Sequence, residues 1–391
     1  MKIAGFKAAA VAAGLRKKDR LDLGLIAADG PAMAAGVFTR SRVQAAPVLW
    51  SRKRLGSGQA RAILVNSGQA NACTGAEGLS VASKSAAAVA EALGCPADEI
   101  LLASTGVIGE PLNLDALTRA VPGLAAGLSE DGLDQVSRAM MTTDTRPKTA
   151  EAEGSIGGHT FRVGGMAKGS GMIAPNMATM LSFVLTDAAV DPAALKTLLA
   201  ETAEATFNAV TVDGDTSTND TVFLLASGRA GFPPLIPGSP DLDAFAKALR
   251  EVMADLARQI ASDGEGATKL VTVRVAGAKS DEQAKAAAMT VANSPLVKTA
   301  FFGQDPNWGR IMMALGRSPA EFDQFKVNID FDDVAVVRQG QQVGREEDWA
   351  RVMQQPAFTV AVDLRAGPGR AEVLTCDFSH DYVKINADYR S

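Results

Sequence analysis

Two hydrophobic rhythms run through the chain and mark out its elements. Short apolar runs, the signature of strands buried on both faces, fall at Ala34–Phe38, Ala60–Val65, Glu99–Ala103, Thr160–Val163, Met180–Leu185 and Thr221–Ala226. An alternating strand covers Leu270–Val275, and further strands are expected at 326–331, 334–338, 357–364 and 371–377. Helical spacing predicts helices at about Ser80–Leu93, Asp115–Leu128 (interrupted at Pro122-Gly123), 133–141 and Asp281–Ala292. Asp191-Pro192 reads as an N-cap followed by proline in the first turn, opening a helix to about Phe207. The clearest helix is Asp241–Ile260, where Phe245, Leu249, Val252, Met253, Leu256 and Ile260 form one stripe. Gly231–Pro240, rich in proline and glycine, is the best linker candidate.

One stretch breaks the rhythm. Lys168-Gly-Ser-Gly-Met-Ile-Ala-Pro-Asn-Met-Ala-Thr-Met-Leu181 joins a glycine loop to an apolar strand without a spacer. Thr179 sits at that seam. It reads either as one more β-branched strand residue or as a nucleophile, fixed by the strand with the loop leaving room in front. Ser104-Thr-Gly-Val-Ile-Gly109, after the strand ending at Ala103, reads as a loop that pairs a hydroxyl with an unhindered N–H at Thr105-Gly106. That pair fits an oxyanion hole, or simply a tight turn. Thr142-Thr-Asp-Thr145 is either turn chemistry or the lining of an amino-acid pocket. Glu265, between two glycines, is a solvated loop carboxylate or a contact for a substrate amine. Asp213-Gly-Asp215 lacks the glycine-six and glutamate-twelve pattern of a calcium loop, and a polar network beneath a site, or a set of caps, is preferred to a metal.

Composition narrows the classes. The 391 residues are 47% hydrophobic and 21% charged, as in an ordinary globular chain of two or three domains or one large α/β body. A net charge of −5 argues against a nucleic-acid-binding surface. No apolar run is long enough to span a bilayer, and Lys17, Lys18 and Asp19 follow the short alanine-rich start, so neither a membrane anchor nor export is expected. Cys73, Cys95 and Cys376 are odd in number and lack metal-ligand spacing, which favours structural thiols in a reducing compartment. The two histidines, His159 and His380, have no nucleophile elbow to serve. Any base for Thr179 is therefore expected to be something other than histidine.

Taken together, these motifs resemble the ornithine acetyltransferase family (bifunctional glutamate N-acetyltransferases of arginine biosynthesis). The resemblance rests on Gly165–Leu181, Ser104-Thr-Gly106, Thr142–Thr145, Asp213–Asp220, Gly264-Glu-Gly266, Asp305-Pro-Asn-Trp-Gly-Arg310, and Asn386 with the terminal Ser391, where threonine also occurs in the family. It implies an α+β fold in which two β-sheet layers are flanked by helices, like that of N-terminal-nucleophile hydrolases. It also implies self-cleavage between Ala178 and Thr179, giving an alpha chain 1–178 and a beta chain 179–391 with an α/β portion from about 235. Thr179 would carry the acetyl group from N2-acetylornithine to glutamate, with Thr105 and Gly106 as the oxyanion hole. Thr142, Lys168, Thr179, Glu265, Asn386 and Ser391 would hold substrate. No cofactor or metal is implied, acetyl-CoA could be a second donor, and a cytoplasmic assembly of two alpha and two beta chains is expected. The competing readings are a self-processing aminopeptidase or amidase and a non-enzymatic ligand-binding protein. The second is weakened because Gly169-Ser-Gly171 precedes a strand rather than the helix of a phosphate loop.

Overall fold

A computed structural model describes residues 1–16, 20–174 and 180–388. In chain order the strands are β1 (Phe6–Val11), β2 (Leu23–Phe38), β3 (Gln59–Gln69), β4 (Ile100–Val107), β5 (Lys148–Ile156), β6 (His159–Lys168), β7 (Leu181–Thr186) and β8 (Thr221–Ala226). A second set follows: β9 (Leu270–Ala278), β10 (Asn328–Phe331), β11 (Val334–Arg338), β12 (Gln341–Gln342), β13 (Ala357–Asp363) and β14 (Gly369–Cys376). The helices are α1 (Ala46–Arg54), α2 (Gly75–Leu93), α3 (Leu114–Ala126), α4 (Leu133–Ala139), α5 (Pro192–Ala205) and α6 (Pro240–Ser262). The C-terminal part adds α7 (Asp281–Ala292), α8 (Pro295–Phe302), α9 (Trp308–Arg317), α10 (Glu346–Met353) and α11 (His380–Asp388).

The first sheet runs in the order β4-β3-β2-β8-β7-β6-β5, with β1 paired to β2. It doubles over on itself. β2 is the hinge: Leu23–Ala27 pair with β3, Met33–Phe38 pair with β8, and the register shifts between Ala27 and Ala32. Asp29-Gly30-Pro31 sits in that irregular stretch, which is why only Ala34–Phe38 reads as strand in the sequence.

Alternation along each strand then builds three apolar layers. Ile26, Ile63, Val65, Leu101 and Ala103 point inward from one half of the sheet, against Met166, Leu181, Phe183, Phe223 and Leu225 from the other. The rings of Phe183 and Phe223 stack there with centroids 5.9 Å apart. Leu25, Leu64, Ile100 and Leu102 point outward to α2 and α3, and Val163, Val184 and Leu224 point outward to α5 and α6. Each fully buried side chain of this kind is worth about 1.5–3 kcal/mol. The result is the expected pair of sheet layers flanked by helices, made by folding one continuous sheet.

Three local expectations change. α3 continues through Pro122, because Val121 and Leu124 are buried on its inner face and that packing outweighs one missing hydrogen bond. β5 is absent from the hydrophobic pattern, since Lys-Thr-Ala-Glu-Ala-Glu carries little apolar surface. It forms through the hairpin to β6, turned at Gly157 and Gly158 with φ of +56° and +84°. The proline-rich segment before α6 does not divide the two sheets. α6 lays its apolar stripe on β5 and β6, with Val252 and Leu256 over Gly165, and the second sheet begins only at Leu270.

That second sheet has the order β12-β11-β10-β13-β9-β14, with β9 parallel to β13 and antiparallel to β14. α7 packs on β9 and β14 and closes a separate core with α8, α9 and α10. No described helix is long and apolar enough to cross a membrane.

Candidate active site

The fold brings Thr105 and Lys168 together from opposite layers. Thr105 follows Leu101 and Ala103 on the inward face of β4, and Lys168 follows Met166 on the inward face of β6. At this end of the sandwich the Lys168 Nζ donates to Thr105 Oγ1 at 3.3 Å and to Thr142 Oγ1 at 2.8 Å. Thr142 enters from the segment between α4 and β5. Thr105 and Lys168 are buried, Lys168 at 2% exposure, and Thr142 is partly exposed. Burial pushes the Lys168 ammonium below its ordinary range, and the charges of Asp144, Glu265 and Asp220 act in the opposite sense.

Thr105-Gly106 belongs to strand β4 rather than to a loop after it. Ser67 pairs with Thr105 and Gly68 with Gly106 in the parallel ladder to β3. Gly106 has φ +131°, and a Cβ there would collide with the backbone of Gly68, so glycine is required. The strand end is fixed from below by Asn219, whose Nδ2 donates to the carbonyls of Ser104 (2.8 Å) and Ala70 (2.7 Å).

Sequence reading missed the charges that hold these pieces in place. Lys148, fully buried at the start of β5, donates to Asp144 Oδ1 at 2.7 Å and Asp263 Oδ2 at 2.5 Å. Asp144 also accepts the N–H of Thr142 (3.0 Å) and of Gly169 (2.7 Å), the residue after Lys168. Burial works to raise the Asp144 pKa, but the Lys168 and Lys148 charges outweigh it and hold the carboxyl at about 2. Asp263 caps the Thr145 end of the same segment through its N–H and hydroxyl. A lysine opening an alternating strand looks like a surface residue in sequence, so nothing marked Lys148. Asp144 lay inside the threonine run, which was the one available signal.

Glu265 is buried, not solvated. Its N–H donates to the Ser170 carbonyl at 2.9 Å, and the Ser170 hydroxyl donates to the Asp263 carbonyl at 2.6 Å. Its Oε2 accepts from Asn386 Nδ2 at 2.7 Å, so α11 reaches back to the turn before β9. Gly171 lies so close that a Cβ there would overlap the Glu265 carboxylate. Thr105, Gly106, Thr142 and Lys168 thus form one group, and Glu265 with Asn386 joins it through Gly169–Gly171. Ala178, Thr179 and Ser391 lie outside the described residues.

The polar segment 213–220 serves the backbone on either side of residues 175–179. Asp213 accepts the N–H groups of Met172 (2.6 Å) and Ile173 (2.8 Å), and burial pushes its carboxyl up to about 6. Asp220 Oδ1 accepts the N–H of Met180 at 3.1 Å, while Oδ2 has no partner among the described residues. Burial raises the Asp220 pKa well above its ordinary value, and the Lys168 charge works against that rise.

Comparison with known proteins decides the family: the model of the ArgJ family matches residues 7–391. The chain belongs to the ArgJ family. The arginine biosynthesis bifunctional proteins ArgJ of Geobacter sulfurreducens and Desulfotalea psychrophila are each 52% identical, over 394 and 393 residues, covering 100% of this chain and 100% of theirs. The solved structure of the arginine biosynthesis bifunctional protein argJ from Bacillus halodurans is 45% identical with a TM-score of 0.53. It covers 54% of this chain and 100% of its own. The resemblance carried by the sequence motifs therefore holds, and the protein is an enzyme of this acetyltransferase family.

Proposed function

We propose that this ArgJ-family protein cuts itself between Ala178 and Thr179 and then moves an acetyl group from N2-acetylornithine to glutamate through an acetyl-Thr179 intermediate. The observation that carries the reading is the meeting of Lys168 with Thr105 and Thr142 in a family member whose motifs supply a threonine nucleophile.

In self-cleavage, Thr179 Oγ attacks the Ala178 carbonyl carbon. The C–N bond breaks as the Thr179 nitrogen gains the proton that the hydroxyl loses. Water then hydrolyses the ester, leaving a carboxylate on Ala178 and a free hydroxyl and α-amine on Thr179. That amine, with an ordinary pKa of roughly 8, serves as base for its own hydroxyl near neutral pH.

In transfer, Thr179 Oγ attacks the acetyl carbonyl of N2-acetylornithine, and the α-amine passes the proton to the departing ornithine nitrogen. The glutamate amine then attacks the acetyl ester and restores the hydroxyl. Thr105 and the Gly106 N–H hold the oxyanion in both steps. Lys168 pairs with the substrate carboxylate, Glu265 receives an amine, and Thr142, Asn386 and Ser391 complete the pocket. The cycle needs no cofactor. Acetyl-CoA serves as a second donor, and two alpha and two beta chains assemble in the cytoplasm.

Purified protein incubated with N2-acetylornithine and glutamate should yield N-acetylglutamate and ornithine, and intact mass should show chains 1–178 and 179–391. Acetate release without N-acetylglutamate would make the protein an amidase instead. A wild-type chain that stays whole would remove the Thr179 mechanism.

A further inference from the structure

Lys168 touches two hydroxyls and no carboxylate among the described residues. A lysine ammonium has three donors and no acceptor, whereas a threonine hydroxyl can donate once and accept twice. The direction of both contacts follows: Thr105 Oγ1 and Thr142 Oγ1 accept, and neither spends its own proton on Lys168. Among the described residues neither hydroxyl donates to any other group. Both protons are left for something outside this set.

We propose that Lys168 is a positioning residue for the oxyanion hole. By occupying an Oγ1 lone pair, it turns the Thr105 O–H outward and keeps it a donor toward the carbonyl oxygen that becomes negative. This rests on the reading of Thr105 as an oxyanion donor and adds a role to the contact between Lys168 and a substrate carboxylate.

The surroundings make the effect specific. A hydroxyl rotor otherwise turns to suit whatever acceptor is near. Thr105 is β-branched, lies in a paired strand and is 5% exposed, so its oxygen is already fixed and only the proton's direction remains open. Donation from a cation also polarises the O–H and strengthens its own donation, most of all where water is excluded. Burial and the Lys148 charge lower the Lys168 pKa, and the charges of Asp144 and Glu265 favour the ammonium form against them. Thr142, on the same cation, becomes a second outward donor.

The test is a double-mutant cycle on the purified enzyme with Thr105→Val, Lys168→Met and the pair, measuring kcat and KM for acetyl transfer. Thr105→Val should lower kcat by about 10²–10³-fold, as expected for loss of one oxyanion donor. Lys168→Met should lower kcat at least tenfold as well as raising KM. In the pair, kcat should be no lower than with Thr105→Val alone, within about twofold, because Lys168 then has no hydroxyl to orient. Losses in kcat that multiply in the pair would overturn the proposal, as would a Lys168→Met effect confined to KM. A silent Thr105→Val would instead remove the oxyanion reading, and the proposal with it. Where a variant stays uncleaved, the half-time of its self-cleavage replaces kcat in the same cycle.

Discussion

Lys148 Nζ and Asp263 Oδ2 lie 2.5 Å apart with both side chains shut away from solvent, and their residues are 115 positions apart in the chain. With Asp144 on its other side, Lys148 links the segment carrying Thr142, the turn after Lys168 and the turn before Glu265. Burying such ions is costly, so the arrangement is better explained by the geometry it fixes than by stability it supplies. Lys148→Met leaves two buried carboxylates without their cation. It should destabilise the protein by about 3–5 kcal/mol in denaturant melts. In the fraction that folds, KM for both substrates should rise more than kcat falls. Unchanged KM would reduce the triad to a structural role.

Asp213 gives the protein a pH dependence of unusual sign. Its folded pKa of about 6 lies above the ordinary 3.8, so between these values the folded state binds more protons than the unfolded state. The stability contributed by this group is present below pH 4 and is lost as pH rises to about 6. Asp144, held at about 2, contributes in the opposite sense and loses its share as pH falls from 4 to 2. Asp213→Asn should therefore gain on the wild type between pH 5 and pH 7.5 in paired denaturant melts. A difference that stays constant over that range would show that Asp213 does not titrate there.

Gly171→Ala probes the Glu265 carboxylate without touching it. The added methyl meets the far end of a side chain, which can swing aside, and not backbone. Stability should fall by no more than about 1–2 kcal/mol, in the range of an ordinary point substitution. The Asn386–Glu265 hydrogen bond should be lost and KM for the amine-bearing substrate should rise several-fold. A normal KM would mean that Glu265 does not meet the amine.

Much of this molecule was legible before any coordinates. Thr221–Ala226, Asp281–Ala292 and Val334–Arg338 have the bounds expected from the sequence, because apolar periodicity and capping act locally. The Asp191 cap of α5 behaves likewise, accepting N–H groups from Ala193 and Ala194. The motifs at Thr105, Thr142, Lys168 and Glu265 also named the family. What the sequence concealed were features whose cause is distant. β5 has little hydrophobic signal of its own and depends on its hairpin partner and on α6. The first part of β2 hides behind Asp29-Gly30-Pro31.

The same division holds at the site. The sequence by itself determined which hydroxyls, amines and carboxylates exist and where glycine permits a close approach. Only the tertiary structure decided that Thr105 and Lys168 face each other, because that contact exists only once β2 bends and the two halves of one sheet close. It also decided that Lys148 is buried between two aspartates. A lysine's burial depends on what packs over it, and here Asp263, which closes one side, lies 115 positions away in the chain.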